Sequence, residues 1–535
     1  MREVRHRTSR RSFLLGGLVL ALPLKAASAA RSKRKFDGLG RADEIVSRVE
    51  PLLSSRSLQS GFRTMAPRRA PRFSMVGLHW RGGGEVHYRV ASGERVFGKW
   101  HRAECCEQPD VGSGEPAPRP GWHFGKPAWT ADSEWIQYRV RGDIRALRAH
   151  FLWSEPQSLS GRQLAIADGP ALIPRGGWGA NERIVRAEPY YAEKLELALV
   201  HHTAGKRPGT RAQSAAIVKA IQRFHINVNG WNDIGYNFLV DPFGQIFEGR
   251  GGGIETNVVG AHARGFNRGA VGIALLGDHH TGGTPTPEAL AALTALVAWR
   301  LDVAHLDPAT LRGLTSGGTG LHPPNASVTL RSVSGHRDTD FTSCPGNHLY
   351  PHLDAVAVNA AATGLPKLYD PAVEGLIGAP VRFSARLSEE LPWAVTVVDA
   401  AGTPVALGEG LGAAVDWTWD ATLVSEGGPF SYSITAGETV RGVSGLVEEP
   451  PPPPPPPDPE ALPEPPPKPK GVPKRVPAWA WEMYRWHDQA RANRGPRPEG
   501  APKRLPRWYW KWRRWRLQHA KIAKLIRIRR EAGEV

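Results

Sequence analysis

Eight consecutive prolines, Pro450 to Pro457, divide this chain more sharply than any other feature. Proline fixes φ and has no backbone N–H, so the run can enter neither a helix interior nor a sheet ladder. It reads as a stiff polyproline II spacer, part of a Pro-rich linker over 448–473. Whatever folds around a core lies before it or after it. At 535 residues the chain is long enough for several domains.

After the linker, 474–535 carries an internal repeat. Pro473-Lys474-Arg475-Val476-Pro477, followed by Trp479 and Trp481, recurs as Pro502-Lys503-Arg504-Leu505-Pro506 with Trp508 and Trp510; Trp486 and Trp515 keep the same offset. From Lys468 onward there are 20 Lys and Arg against 5 Asp and Glu, a surplus of 15 in a chain of net charge +18. Charge this localised marks an interaction tail, expected to be disordered.

The opposite end reads as an export signal. Arg10-Arg11-Ser12-Phe13-Leu14-Leu15 precedes an apolar run to Leu24 and the small-residue end Ala27-Ser28-Ala29. Paired arginines before a short apolar core predict a twin-arginine-type signal over 1–29 and a protein secreted toward the cell wall. The run is too short for a bilayer span, which needs about 20 residues. For an exported protein nucleic acid is a poor partner. Anionic cell-wall polymer or a membrane surface suits the tail, with tryptophans stacking on sugars or lying at the headgroups. Three cysteines, Cys105, Cys106 and Cys344, are too few for a disulfide framework.

Two stretches alternate with period two between Gly- and Pro-rich turns. In 70–158, Val86, Tyr88 and Val90 alternate with His87 and Arg89. In 370–447 the runs Val381–Ala385, Ala394–Val398 and Phe430–Ile434 behave likewise. Both predict accessory all-β, sandwich-like domains, the second immunoglobulin-like. Trp80, Trp100, Trp122, Trp129 and Trp135 could line a sugar-binding face, although in a small sandwich such residues more often fill the core.

Between these stretches, 170–362 mixes strand and helix patterns. Leu195–Val200, Tyr236–Val240, Gln245–Phe247 and Val271–Leu276 read as strands, with turn chemistry in Asp241-Pro242-Phe243-Gly244. Helices are expected from Ala212 to Phe224 and from Thr286-Pro287 onward. The 30 residues before His336 read as a surface excursion. His201 and His202 end the first apolar run, and His336 and Cys344 stand eight residues apart in a loop rich in Gly and Asp. Two imidazoles and a thiolate suit zinc and leave a fourth tetrahedral position open, as catalytic sites require, although residues this far apart could equally be two histidines capping a strand and a buried cysteine.

Several motifs here occur together: Arg175-Gly176-Gly177-Trp178-Gly179-Ala180, Val200-His201-His202-Thr203-Ala204, Trp231 to Phe238, Phe247-Glu248-Gly249-Arg250-Gly251, Gly260-Ala261-His262, and Gly335-His336-Arg337-Asp338 with Thr342-Ser343-Cys344-Pro345-Gly346. In content and order they resemble the peptidoglycan recognition protein and N-acetylmuramoyl-L-alanine amidase family of type 2 zinc amidases, over about a third of the chain. The resemblance implies an α/β catalytic domain, a mixed central sheet flanked by helices with Zn2+ at the floor of a groove. It implies His201, His336 and Cys344 as metal ligands, His201 being preferred to His202 because the family's ligand is the first residue after the strand. It implies Tyr236 and Thr342 as catalytic residues and Asn257 and His262 as substrate contacts. The reaction implied is hydrolysis of the amide between N-acetylmuramic acid and L-Ala. The alternatives are a non-catalytic peptidoglycan-binding receptor, against which the presence of both Cys344 and Tyr236 argues, and a wall-anchored binding protein, which rests on the tail alone. Gly252 stands where the family often has Trp, which leaves open the choice between diaminopimelate and lysine peptides.

Overall fold

The computed structural model describes residues 44–51, 61–449, 467–488 and 496–531, apart from 106–108, 111–113, 117–118, 156–162, 167, 365, 423 and 425–427. The signal expected at 1–29 and most of the proline linker lie outside the described residues. The chain divides into two compact units between Glu448 and Glu449.

The first unit opens with an antiparallel sheet of eight strands, from Ile45–Glu50 to Ala146–Leu152. It starts well before residue 70 because Ile45–Glu50 pairs along Ala146–Leu152, Ile45 opposite Leu152. Its tryptophans divide. Trp80 and Trp129 are buried, whereas Trp100, Trp122 and Trp135 each carry an arginine guanidinium on the ring at 3.8–4.7 Å. Cation–π partners of this kind already occupy a face that a sugar would use.

The central region is a six-stranded mixed sheet. Its strands are β1 (Leu172–Ile173), β2 (Leu197–His202), β3 (Phe238–Val240), β4 (Ile246–Glu248), β5 (Ala270–Leu275) and β6 (Val333–Gly335), in the order β6-β2-β5-β3-β4-β1. Strand β2 is parallel to both β5 and β6. All six of its residues are buried, as a parallel strand covered on both faces requires. The hairpin β3–β4 closes where Asp241 Oδ1 accepts from the amides of Phe243 and Gln245. Helices α1 (Arg211–Phe224) and α2 (Pro287–Val303) start at Thr210 and Thr286, whose hydroxyls accept from Gln213 N and Ala289 N at 3.2 Å. A third, α3 (Leu353–Ala362), packs with α2 on the apolar core. The predicted surface excursion is a hairpin, Leu311–Thr315 against Ser327–Arg331.

The second accessory region is one five-stranded antiparallel sheet around Val381, Phe383, Val395, Trp419 and Ile434. An immunoglobulin fold uses about seven strands in two sheets. Here two long strands, Pro380–Val398 and Pro404–Asp420, do the work of several, with a register shift between Arg386 and Leu391.

The tail also departs from expectation. In the second unit the repeats form α4 (Ala478–Asp488) and α5 (Arg507–Glu531). Each repeat opens with the same first-turn bond, Ala480 N to Pro477 O and Tyr509 N to Pro506 O, both 3.0 Å. Equivalent positions are then buried: Ala480 with Tyr509, and Met483 with Trp512, all at 1 % exposure or less. Apolar residues three apart share a helix face, and the small pair of one repeat fits the large pair of the other. No helix of the described residues is long and apolar enough to cross a membrane.

Candidate metal centre

Strand alternation separates the two histidines at the end of β2. His201 faces His336 and Cys344, whose ligand atoms lie within 4.8 Å of one another and of its own. Its Nδ1 is 3.7 Å from Cys344 Sγ. Its Nε2 is 3.0 Å from Nδ1 of His262, so a metal-bound Nδ1 leaves Nε2–H to donate to His262. A ligating imidazole needs this kind of second partner to fix its tautomer and plane.

The donor set fits a zinc-type ion. Both ring nitrogens of His336 are buried and without a hydrogen-bond partner, an arrangement that costs free energy unless something else binds them. Burial pushes His201 and His336 well below the usual imidazole range; His336 and His262 reinforce this at the first, and Lys126 and His262 at the second. Neutral imidazoles are the form that ligates. The His202 amide donates to Cys344 Sγ at 3.4 Å and supports a thiolate there.

The other expected residues are placed as follows. The Tyr236 ring lies 5.6 Å from that of His201 and is 2 % exposed. The Thr342 hydroxyl accepts from Cys344 N at 3.2 Å, which fastens the loop that presents the thiol. His262 is not on a groove wall but fully buried behind His201. Its ring occupies the space between Gly260 and Gly272, where an added Cβ would come within 2.3 Å of it in either case. Asn257 lies at the opposite end of β2 from the ligands. Its carbonyl accepts from Ala192 N, and its side chain accepts from Arg300 Nη2 at 2.9 Å. Gly252 has φ +122 and sits 2.8 Å, by its would-be Cβ, from Pro189 and Val258; a tryptophan there would need a different backbone.

Sequence reasoning missed the acidic residues that the connection between strands His101–Arg102 and Trp122–Phe124 of the N-terminal sheet places against the central region. Glu104 takes His202 Nε2 at 2.9 Å and the Ser343 hydroxyl at 2.9 Å, with Lys126 Nζ at 3.8 Å. It thus braces the residues next to two ligands. Burial alone would raise its carboxyl, but His202, Lys126 and Ser343 outweigh burial and hold it well below the usual carboxylate range. Asp110 accepts from Gly265 N and Asn267 Nδ2, and Asn267 in turn fixes the amides of His262 and Ala263. Glu115 pairs with Arg250 at 2.6 Å. Contacts spanning 98 to 239 residues leave no local signal. Another missed group is His225, at the start of a π-helical turn that extends α1; its Nδ1 accepts from Gly235 N at 3.0 Å, next to Tyr236.

Glu104→Ala is expected to cost about 3–5 kcal/mol of stability, because it removes one partner of a buried charged group and leaves Lys126 and His202 poorly compensated. Denaturant midpoints at unchanged m would measure it. A loss below about 1 kcal/mol, the range of exposed pairs, would show that Glu104 braces nothing.

Residues 191–347 match the N-acetylmuramoyl-L-alanine amidase family model. Peptidoglycan-recognition protein SC1a of Drosophila melanogaster is 34% identical over 188 residues, 35% of this chain and 86% of that protein. The chain belongs to this family of peptidoglycan recognition proteins and type 2 amidases. Among its mammalian members, the N-acetylmuramoyl-L-alanine amidase of Sus scrofa is 37% identical over 188 residues, 34% of this chain and 27% of that protein. That of Mus musculus is 35% identical over 201 residues, 35% of this chain and 32% of that protein. Amidase and recognition relatives together make this a peptidoglycan-cutting or peptidoglycan-binding region.

Proposed function

We propose that the chain is a zinc amidase that hydrolyses the bond between N-acetylmuramic acid and L-Ala of peptidoglycan. The observation that carries the reading is the buried His201, His336, Cys344 set, with His336 unpartnered at both nitrogens. When bound there, zinc lowers the pKa of its water to about 7 and polarises a carbonyl. The chain's own residues do the rest. His262 orients His201, the His202 amide steadies the thiolate, and Thr342 fixes the Cys344 loop. Tyr236 stands beside His201, where its hydroxyl can donate to the oxygen that gains charge as the amide carbonyl is attacked.

A second reading draws on the burial of the site. His201, His336 and Cys344 are 0 % exposed, so a chain that kept this arrangement on the polymer would bind without cutting. One experiment separates the two. Purified protein is incubated with peptidoglycan, with and without chelator, and fragments are identified by mass spectrometry. Peptides with a free L-Ala amino terminus that vanish with chelator support the amidase. Binding without such fragments overturns it in favour of the receptor.

The export reading and the tail belong to the same proposal: a secreted protein whose second unit holds it on anionic wall polymer or a membrane surface. Trp510, Leu525 and Ile528 are 44–52 % exposed on α5 among its lysines and arginines. Such a face suits a polyanion with apolar or sugar surface. Ending the chain near Lys470 is expected to leave cleavage of small soluble muropeptides nearly intact and to weaken sedimentation with whole walls. Attachment by the full chain should also fall with salt, exposed charges being screened over about 10 Å at 0.1 M. A truncated protein that sediments like the full chain at low and high salt would sink this assignment.

A further inference from the structure

A cavity of about 480 Å³ lies between the N-terminal sheet and the turn at 227–228 that follows α1. Its wall includes Arg48, Arg119, Arg148, His79, His150 and Trp122. Among the described residues no carboxylate lines it. The Arg119 and Arg148 guanidinium groups on this wall raise the local positive potential, and concave low-dielectric walls focus it. The Arg148 guanidinium lies 4.7 Å over the Trp122 ring, which holds it in place as a planar donor.

His150 distinguishes this cavity from a solvated basic surface. Its ring is 8 % exposed. Its Nδ1 meets the Ser47 hydroxyl at 2.7 Å, and its buried Nε2 has no partner. With Ser47 donating to Nδ1, Nε2 carries the proton and is left as an unpartnered buried donor in the wall of the cavity. Burial, then the adjacent Arg148 and Arg119, pulls His150 down to about 4, so the ring is neutral at pH 7 and the positive charge rests on the arginines. His79 beside it is tied to Asn229 Oδ1 at 3.2 Å.

We propose that this cavity binds a small anion bearing phosphate or carboxylate groups, held by Arg119 and Arg148 with a donor from His150. Both anion types match the planar fork of arginine in bidentate fashion, and the volume falls in the ordinary range for small-molecule sites. The inference does not rest on the peptidoglycan reading, since none of these residues belongs to the metal centre.

Titration calorimetry of the full chain tests it with three probes: inorganic pyrophosphate, citrate, and uncharged N-acetylglucosamine. At least one of the two anions is expected to bind saturably, the tighter one fixing the phosphate or carboxylate class. Arg119→Gln and Arg148→Gln are each expected to weaken that binding about tenfold or more, the loss of one charge-assisted contact. Arg119 is exposed, so its variant folds even if loss of the Arg148–Trp122 contact disturbs the other. No saturable binding by either anion, affinity unchanged in Arg119→Gln, or equal binding of N-acetylglucosamine would each overturn the proposal.

Discussion

Cys344→Ala is expected to strip the protein of zinc and, with it, of amidase activity. Thiolate is the one anionic donor in the set, and its sulfur lies 3.7 Å from His201 Nδ1 inside a site with no exposed surface. Alanine would leave two neutral imidazoles to hold a dication. Changing partners that merely orient a ligand costs about 10- to 100-fold in metal affinity, so losing the ligand itself should exceed that. Metal analysis after dialysis should find about one zinc per wild-type chain and almost none in the variant. The variant should also melt earlier, because a metal that binds only the folded state stabilises it by mass action. Full stoichiometric retention of zinc in Cys344→Ala would show that the ligand assignment is wrong.

What the sequence made legible was local. The β3–β4 hairpin followed from Asp241 to Gly244, and the start of α2 from Thr286-Pro287, because caps and turns are decided within a few residues, whereas the Thr210 cap of α1 went unread. The motif order brought His201, His336 and Cys344 together across more than a hundred residues, but by likeness to a family rather than by spacing. What escaped was long-range. Nothing near Glu104 announces His202 and Ser343, and a buried carboxylate looks like any surface acid until its partners are known. His262 shows the same limit: its motif marked it as important, while only packing between Gly260 and Gly272 reveals that it serves His201. In the tail the charge surplus masked the apolar spacing of Ala480 with Met483 and of Tyr509 with Trp512. Aromatic residues there bury enough surface to form a small core despite the cations around them.

Tyr236→Phe is expected to keep zinc and fold while lowering kcat by about 100- to 1,000-fold, the usual cost of removing one donor from a developing oxyanion. The ring belongs to the buried apolar cluster that also holds Ile217, Ile221, Phe224 and Leu239, and phenylalanine preserves its apolar surface. The Gly235 amide, bonded to His225, and the Asn237 amide, bonded to Gly272 O, fix the backbone on either side of it, so the ring should not move. Losing a single neutral hydroxyl costs about 1 kcal/mol of stability, far less than the effect on rate. The two consequences therefore separate cleanly. If Tyr236 acts on the transition state, kcat and kcat/KM fall together and KM changes little. If it only shapes the groove, KM rises and kcat is spared. Unchanged kcat in a zinc-replete Tyr236→Phe protein would remove the hydroxyl from the reaction and leave His201, His336 and Cys344 to account for turnover without it.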